Sequence, residues 1–323
     1  MSTVDADATR PYDLLGRSPA VADAVAQLAR AAGDDRGVLI TAEPGLDAEA
    51  VARAVHHRSA RRSQPFVVLA CDGASAPALE KQLIGGPHPR SADLESISQS
   101  SALSRAAGGT LFLACVNEMS APLQRRVARL LRDGEVRVAR RAAPVVLDVR
   151  VIAAVEDRLD TGLREELLRR LPLTVEVPTL RQRREDVHVI AEAMLADRQD
   201  RRGFTPAALT VLAALPWRRN TAELGRLIER LTAAGSSSDP IRQEDVLAEV
   251  QLDRAPARPT GSLRDARRQF EREFIASVLR DHAWQMRDAA RALGIERANL
   301  YRKARQLGIP LRREGAAEGR VSG

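Results

Sequence analysis

Four short apolar runs spaced along residues 36–180 constrain what this chain can become: GVLITA (37–42), PFVVLAC (65–71), GTLFLACV (109–116) and DVRVIAAV (148–155). Each is close to continuously apolar rather than alternating, which is the pattern of a strand covered on both faces. Helical patterns such as AEAVARAVHHRS and APLQRRVARLLRDGE lie between them. Buried strands alternating with helices imply an α/β layering, a parallel sheet with right-handed crossovers. With 323 residues, 44% of them hydrophobic, the chain can build two or three domains with real cores. Aromatics make up only 3%, so those cores must come from Ala, Leu, Val and Ile.

From Arg181 to Val250 the strand signal stops. RREDVHVIAEAMLADRQ, TPAALTVLAAL, TAELGRLIERLTAAG and RQEDVLAEV all show helical spacing. TPAAL adds a Thr N-cap with Pro at the first helical position. LDRAPARPTG (252–261) is rich in Pro and Gly and reads as a linker. A long amphipathic pattern, LRDARRQFEREFIASVLRDH, then precedes two short helical patterns joined through Gly294-Ile295. The expected organisation is a tail over 1–11, an α/β unit over 12–180 and a helical lid over 181–251. A linker over 252–262, an all-α helix-turn-helix unit over 263–313 and a tail over 314–323 complete it.

Charge separates these parts. Ser262–Arg313 carries 13 basic and 6 acidic side chains, so the whole net charge of +7 sits there and the remainder is neutral. A basic module on a neutral body is the electrostatic footprint of nucleic-acid binding. In the helix-turn-helix pattern Ala289, Ala290 and Leu293 face inward from the first helix, and Leu300 and Ala304 anchor the second. The other face of the second helix offers Arg297, Asn299, Arg302, Lys303 and Arg305. Arg reads guanine edges bidentately, Asn reads adenine, and Arg and Lys clamp phosphates.

Other classes find no support. MSTVDADATRPYDLLGRS has no apolar core of a signal peptide. No apolar run approaches the roughly 20 residues that span a membrane. Two cysteines, Cys71 and Cys115, give no disulfide framework or metal cluster, which suits a reducing cytosol. The five histidines show no metal spacing, and no Ser-His-Asp arrangement stands out.

RDAARALGIERANLYRKARQLGI resembles the DNA-binding domain of the factor for inversion stimulation (Fis), which also ends bacterial enhancer-binding proteins. That resemblance implies a base contact at Arg297 and phosphate or flanking-base contacts at Asn299, Arg302, Lys303 and Arg305, with Tyr301 partly exposed. Such domains pair through the preceding helix, so it also implies dimer contacts at Phe270, Phe274 and Leu279.

The preceding blocks, LLGRSPAVADAVAQLARAAG, GGTLFLACVNEMSAPLQRRVARLLRDGEV, LREELLRRLPLTVEVPTLRQRREDVHVIAEAML and LPWRRNTAELGRLIERL, are similar to the AAA+ domain of NtrC-type enhancer-binding proteins that act on sigma-54 RNA polymerase. The resemblance covers about Leu14–Val250 and implies an AAA+ fold with a helical lid. It also exposes what the chain lacks. LITAEPGLDAEAVARAVHHRS keeps the layout of a phosphate-binding loop, and Glu43 and Gly45 belong to this degenerate site. A working loop needs a Lys for the β- and γ-phosphates and glycines for close backbone approach; here those positions are Ala48 and Asp47. The Mg²⁺-holding and water-activating acids fall on Ala114 and Cys115. The polar sensor pair falls on Val155 and Glu156, and the lid sensor arginine falls on Ala222. No sigma-factor-contacting GAFTGA motif lies between Gly85 and Gly108. Arg164 and Arg170 match the family's arginine fingers, or are surface charges of a helix.

These readings lead to an inactive AAA+ ATPase, with no catalytic residue, no metal site and no productive ATP or Mg²⁺ binding. The expected function is sequence-specific DNA-binding transcriptional regulation over a non-hydrolysing scaffold. The alternatives are an ATP-dependent sigma-54 activator and a ring-poisoning partner of an active paralogue. Expected partners are double-stranded DNA, further copies of the chain in a homodimer or higher homo-oligomer, and an RNA polymerase subunit or active AAA+ paralogue. The expected location is the cytoplasm, at the nucleoid. Only about a dozen residues precede the AAA+ resemblance, so no sensor domain is expected there.

Overall fold

The structure, a computed structural model, describes residues 11–85, 94–138, 143–156, 162–234 and 239–254. It further describes 275, 278–279, 284–293 and 297–307. The chain divides into two compact units, 1–250 and 251–323.

The first unit is built on a five-stranded parallel sheet. Its strands are β1 (Val38–Thr41), β2 (Phe66–Ala70), β4 (Thr110–Ala114), β7 (Arg150–Val155) and β8 (Leu173–Glu176), in the order β2-β4-β7-β1-β8. All four apolar runs are strands. The fifth, β8, lies in a stretch not marked as a strand in the sequence, because LTVE is short, half polar and at the sheet edge. In register, Val38 faces Ile152 and Leu173, and Phe66 faces Thr110.

Successive strand residues alternate between two cores, as the pleat requires. Leu39, Leu111, Leu113, Val151, Ala153 and Val155 pack on one side with α3 (Ala76–Ile84) and α5 (Ala121–Asp133). Val38, Ile40, Phe112, Ile152, Ala154 and Val175 pack on the other with α1 (Pro19–Ala32) and α2 (Ala48–His57). The Ser18 hydroxyl caps α1 by accepting from the Val21 N–H, with Pro19 at the first position. Beside α4 (Ala102–Arg105), a small sheet of β3 (Ser96–Ile97), β5 (Glu135–Val138) and β6 (Val145–Val146) adds a feature that sequence patterning did not show. The short α6 (Glu165–Leu168) precedes β8.

The lid holds α7 (Val187–Asp197), α8 (Pro206–Ala214), α9 (Asn220–Ala234) and α10 (Gln243–Arg254) around Trp217, Leu224 and Ile228. Thr205 caps α8 through the Ala208 N–H, with Pro206 first, as its sequence indicates. Helix α10 runs through 252–254, the start of the expected linker, because the first helix-breaking residue is Pro256. The remaining linker residues lie outside the described ones. Tyr12 and Leu15 pack against the lid core, so residues at the start of the α/β stretch belong physically to both parts.

In the second unit α11 (Met286–Ala292) and α12 (Arg297–Gln306) share a core of Ile275, Leu279, Ala289, Ala290, Leu300 and Ala304. Among the described residues no helix is long and apolar enough to cross a membrane.

Candidate functional site

Two sites emerge, one in each unit. In the first, β1 ends at Thr41, the chain turns through Ala42–Leu46, and α2 starts at Ala48 with Asp47 as its N-cap. The Asp47 carboxylate accepts from the Ala50 N–H at 2.9 Å, an ordinary cap. Its backbone N–H is the notable one. A helix N-terminus after a tight turn presents such amides to anions, and here the amide donates to Asp13 Oδ2 at 2.6 Å. A carboxylate of the chain itself thus takes this amide.

Asp13 is 1% exposed. Burial raises its pKa; hydrogen bonds from Thr221 and the Asp47 N–H, and the Arg183 charge, act the other way. The Arg183 guanidinium, fully buried, stands 3.7 Å from Asp13 Oδ1 and donates to the Leu15 carbonyl at 3.1 Å. Burial pulls the pKa of Arg183 down, against the pull of Asp13 and Asp186. Asp186 in turn accepts from the backbone N–H groups of Arg17 and Ser18.

The lid closes on the same loop. The Thr221 hydroxyl lies 2.6 Å from Asp13 Oδ1 and 3.0 Å from the Gly45 carbonyl. The Ala222 N–H donates to that carbonyl at 2.9 Å. The Asn220 side chain donates to the Pro44 carbonyl at 3.1 Å and accepts from the Leu180 N–H. Gly45 has φ +89°, and a Cβ there would stand 2.0 Å from the Arg219 carbonyl oxygen. Only glycine allows both the left-handed turn and that approach.

A cavity of about 880 Å³ remains between loop and lid. Its lining includes Asp13, Asp47, Asp197 and Tyr12, with no Lys, Arg or His among the described lining residues. The Tyr12 hydroxyl donates to Asp197, and burial, with that bond, pushes its pKa up to about 12. Carboxylates at close range oppose a polyphosphate in a site of reduced dielectric.

The other expected positions follow. Glu43 pairs with Arg181 at 2.7 Å, outside that lining. Ala48 opens α2, Ala114 ends β4, and Ala222 is exposed in the first turn of α9. Cys115 follows β4 in a left-handed conformation, φ 50°. Asn117 and Glu118 sit in the 3₁₀ turn Val116–Glu118, with Glu118 exposed. Val155 is buried beside Thr41, and Glu156 is exposed just beyond it. Among the described residues no group of three or more His, Cys, Asp or Glu is placed to hold a metal ion. Arg164 precedes α6, its backbone N–H donating to Gln124 Oε1, and its exposed side chain stands 3.7 Å from Glu166. Arg170, just past the other end, is also exposed. Residues 86–93, within the stretch searched for GAFTGA, lie outside the described residues.

Asp13, Asn220, Thr221 and Arg183 are the residues that sequence reading missed. Asp13 lies 34 positions from Asp47 and 208 from Thr221. The one local signal was a lone acid inside the apolar PYDLLG.

In the second unit Leu300 and Ala304 are fully buried, as expected of the anchors of α12. Arg297 and Arg302 are exposed, and Asn299, Tyr301 and Lys303 are half-buried. The Arg297 guanidinium lies 5.7 Å from the Tyr301 ring centroid, within cation–π range. Arg302 donates to Asn299 Oδ1 at 3.2 Å. This pair presents a joined donor surface on the outer face of α12. The Arg305 side chain, Phe270 and Phe274 lie outside the described residues. Leu279 corrects an expectation: it is fully buried in the core of its own unit, which leaves it no surface for a dimer contact.

Comparisons with known proteins agree with this division. The sigma-54 interaction domain family matches residues 14–178, and the Fis family of bacterial regulatory proteins matches 266–307. Transcriptional regulatory protein GlrR of Escherichia coli (strain K12) is 31% identical over 301 residues, covering 90% of this chain and 66% of GlrR. The anaerobic nitric oxide reductase transcription regulator NorR of Citrobacter koseri is 32% identical over 332 residues, covering 95% and 65%. The DNA-binding transcriptional regulator NtrC of Klebsiella pneumoniae is 30% identical, covering 92% and 70%. This chain thus spans about two-thirds of the length of these relatives. The crystal structure of NtrX from Brucella abortus in complex with ADP is similar at 27% identity and TM-score 0.64, covering 94% of this chain and 71% of NtrX. The RuvB P216G mutant of Thermotoga maritima, 14% identical with TM-score 0.59, shares the fold.

Proposed function

Since the chain belongs to the sigma-54 interaction family and ends in a Fis-type helix-turn-helix, we propose that it is a sequence-specific DNA-binding transcriptional regulator whose AAA+ unit is a non-hydrolysing scaffold. The observation that carries the scaffold reading is the Asp13 carboxylate on the Asp47 amide, stitched to the lid through Thr221. A phosphate would have to displace a buried, partnered carboxylate and meet Asp47 where a close-approach glycine is needed. Even then, no lysine stands at position 48 and no acid at 114 or 115. The DNA-binding half rests on the donor face of α12 and on the basic excess of that segment. The chain works in the cytoplasm at the nucleoid, as a homodimer or larger homo-oligomer, and without sigma-54 remodelling.

Calorimetric titration with ATP and Mg²⁺ tests the scaffold: no heat of binding is expected, and tight Mg²⁺-dependent binding would overturn it. A second reading, an ATP-driven sigma-54 activator, draws on the retained cavity between loop and lid and on NtrX, crystallised in complex with ATP. The same titration separates the two. The exposed Arg164 and Arg170 support a further partner, an active AAA+ relative whose nucleotide they would face in a mixed ring. That idea fails if Arg164→Ala leaves the ATPase rate of such a mixture unchanged.

A further inference from the structure

The chain has two cysteines in 323 residues, and the fold brings them together. Strands β2 and β4 pair in parallel with Ala70 opposite Ala114, and the next residue on each is a cysteine. The Cys71 N–H donates to the Ala114 carbonyl at 3.0 Å, the bond that closes the Ala70–Ala114 pair and holds Cys71 beside the end of β4. Paired strands lie about 4.8 Å apart, so the chains stand at Ala70–Ala114 within the roughly 4.4–6.8 Å between Cα atoms that a disulfide spans, and each cysteine follows directly. Both thiols are free. Cys115 leaves its strand at φ 50°, ψ 48°, a conformation that a non-glycine residue holds only when its surroundings impose it. Neither DNA binding nor the scaffold uses either thiol.

We infer that Cys71 and Cys115 form a reversible thiol–disulfide clasp across the end of the sheet, with a low-molecular-weight disulfide as the oxidant. Cys115, half-buried, reacts first; Cys71 is 2% exposed. The Cys115 thiolate attacks one sulfur of the small disulfide, a mixed disulfide forms, and one small thiolate leaves and is protonated. The Cys71 thiolate then attacks Cys115 Sγ, the Cys71–Cys115 bond forms, and the second small thiolate leaves and is protonated. Two electrons pass from the pair to the small disulfide, and the two cysteine protons end on two small thiols. The closed clasp ties the end of β2 to the turn Val116–Glu118 that leads into α5.

The surroundings set rate and poise in opposite directions. Burial pushes the Cys71 thiol up to about 12, with Cys115 and Asp72 adding to the shift. Burial also raises Cys115, followed by the charges of Asp72, Glu156 and Glu118. Scarce thiolate slows attack. Strongly oxidising pairs owe their potential to a stabilised reduced form, and this site stabilises neither thiolate. The clasp closes slowly and, once closed, resists weak reductants.

The full chain, equilibrated in mixtures of oxidised and reduced glutathione, acid-quenched and alkylated, is read by mass spectrometry. Both thiols should disappear together, with loss of two hydrogens and no added glutathione. Cys71→Ala and Cys115→Ala should each show a free thiol or a glutathione adduct and never that species. Oxidation should raise the thermal midpoint of the wild type alone, reversibly. Two unreacted thiols at every ratio, a persistent adduct at Cys115, or a disulfide between two chains would overturn the clasp. The readout contains no nucleotide, so it stands or falls separately from the scaffold proposal.

Discussion

A buried carboxylate on the amide of a phosphate-type loop makes Asp13 the most consequential single residue in the first unit. Burial raises its pKa, so the folded chain binds that proton more tightly than the unfolded chain does. Stability from this group is therefore greatest below the ordinary Asp range, about 4. It is lost as pH rises through the raised value. Relative to Asp13→Asn, the wild type should lose stability over that window and level off above it, as urea unfolding across a pH series would show. A difference that grows in favour of the wild type with rising pH would contradict the assignment. At position 48, lysine alone should not restore nucleotide binding, because the Asp13 carboxylate still takes the loop amide and Asp47 still stands where a close-approach glycine is needed. Ala48→Lys should leave ATP titrations flat, and only its combination with Asp47→Gly and Asp13→Ala should produce heat.

At the scale of elements, the seam between loop and α9 is where stability and closure meet. Thr221→Val strands a buried acceptor and should cost about 1–3 kcal/mol, read as a lower urea midpoint at unchanged slope. Gly45→Ala should cost at least as much. It places a side chain in the left-handed region and drives a Cβ into the Arg219 carbonyl, so loop and lid must part. Helix α12 has its own test. Arg302→Ala should weaken binding to all DNA sequences and reduce the salt slope by about 0.9 for each phosphate left without its cation. Arg297→Ala should instead cost about 1–3 kcal/mol at one base position. DNA binding that survives both changes at physiological salt would remove α12 as the recognition helix.

For the whole molecule, ligand linkage gives the broadest check. A nucleotide at 100 times its dissociation constant stabilises the binding fold by about 2.7 kcal/mol. Millimolar ATP with Mg²⁺ should leave the thermal midpoint of this protein unmoved, and a clear rise would favour the activator reading. Mapping of genomic binding sites complements this. Sites lying mainly beside sigma-54 promoters would argue against a role independent of that factor.

The alternation of apolar runs with helical patterns determined the parallel sheet, and the pattern from Met286 to Gln306 determined the helix pair. Both signals are local: a run of Val, Leu and Ile, or an apolar step every third or fourth residue, is written within one element. The side chains at Asp47, Ala48, Ala114, Cys115 and Ala222, on which the proposed loss of nucleotide chemistry rests, were equally legible, because each is the identity of one residue at a position fixed by its neighbours. The sequence did not mark β8, whose four residues owe their strand conformation to pairing with β1. Nor did it mark the small sheet, whose two- to four-residue strands carry too few residues for a period. What the Asp47 amide of the loop meets was decided only in three dimensions. Asp13, Asp47 and Thr221 meet across as many as 208 positions, and Cys71 and Cys115 are neighbours only because the strands that lead into them pair, Ala70 with Ala114. Such meetings depend on which surfaces the two cores press together, and no periodicity within a single segment encodes that.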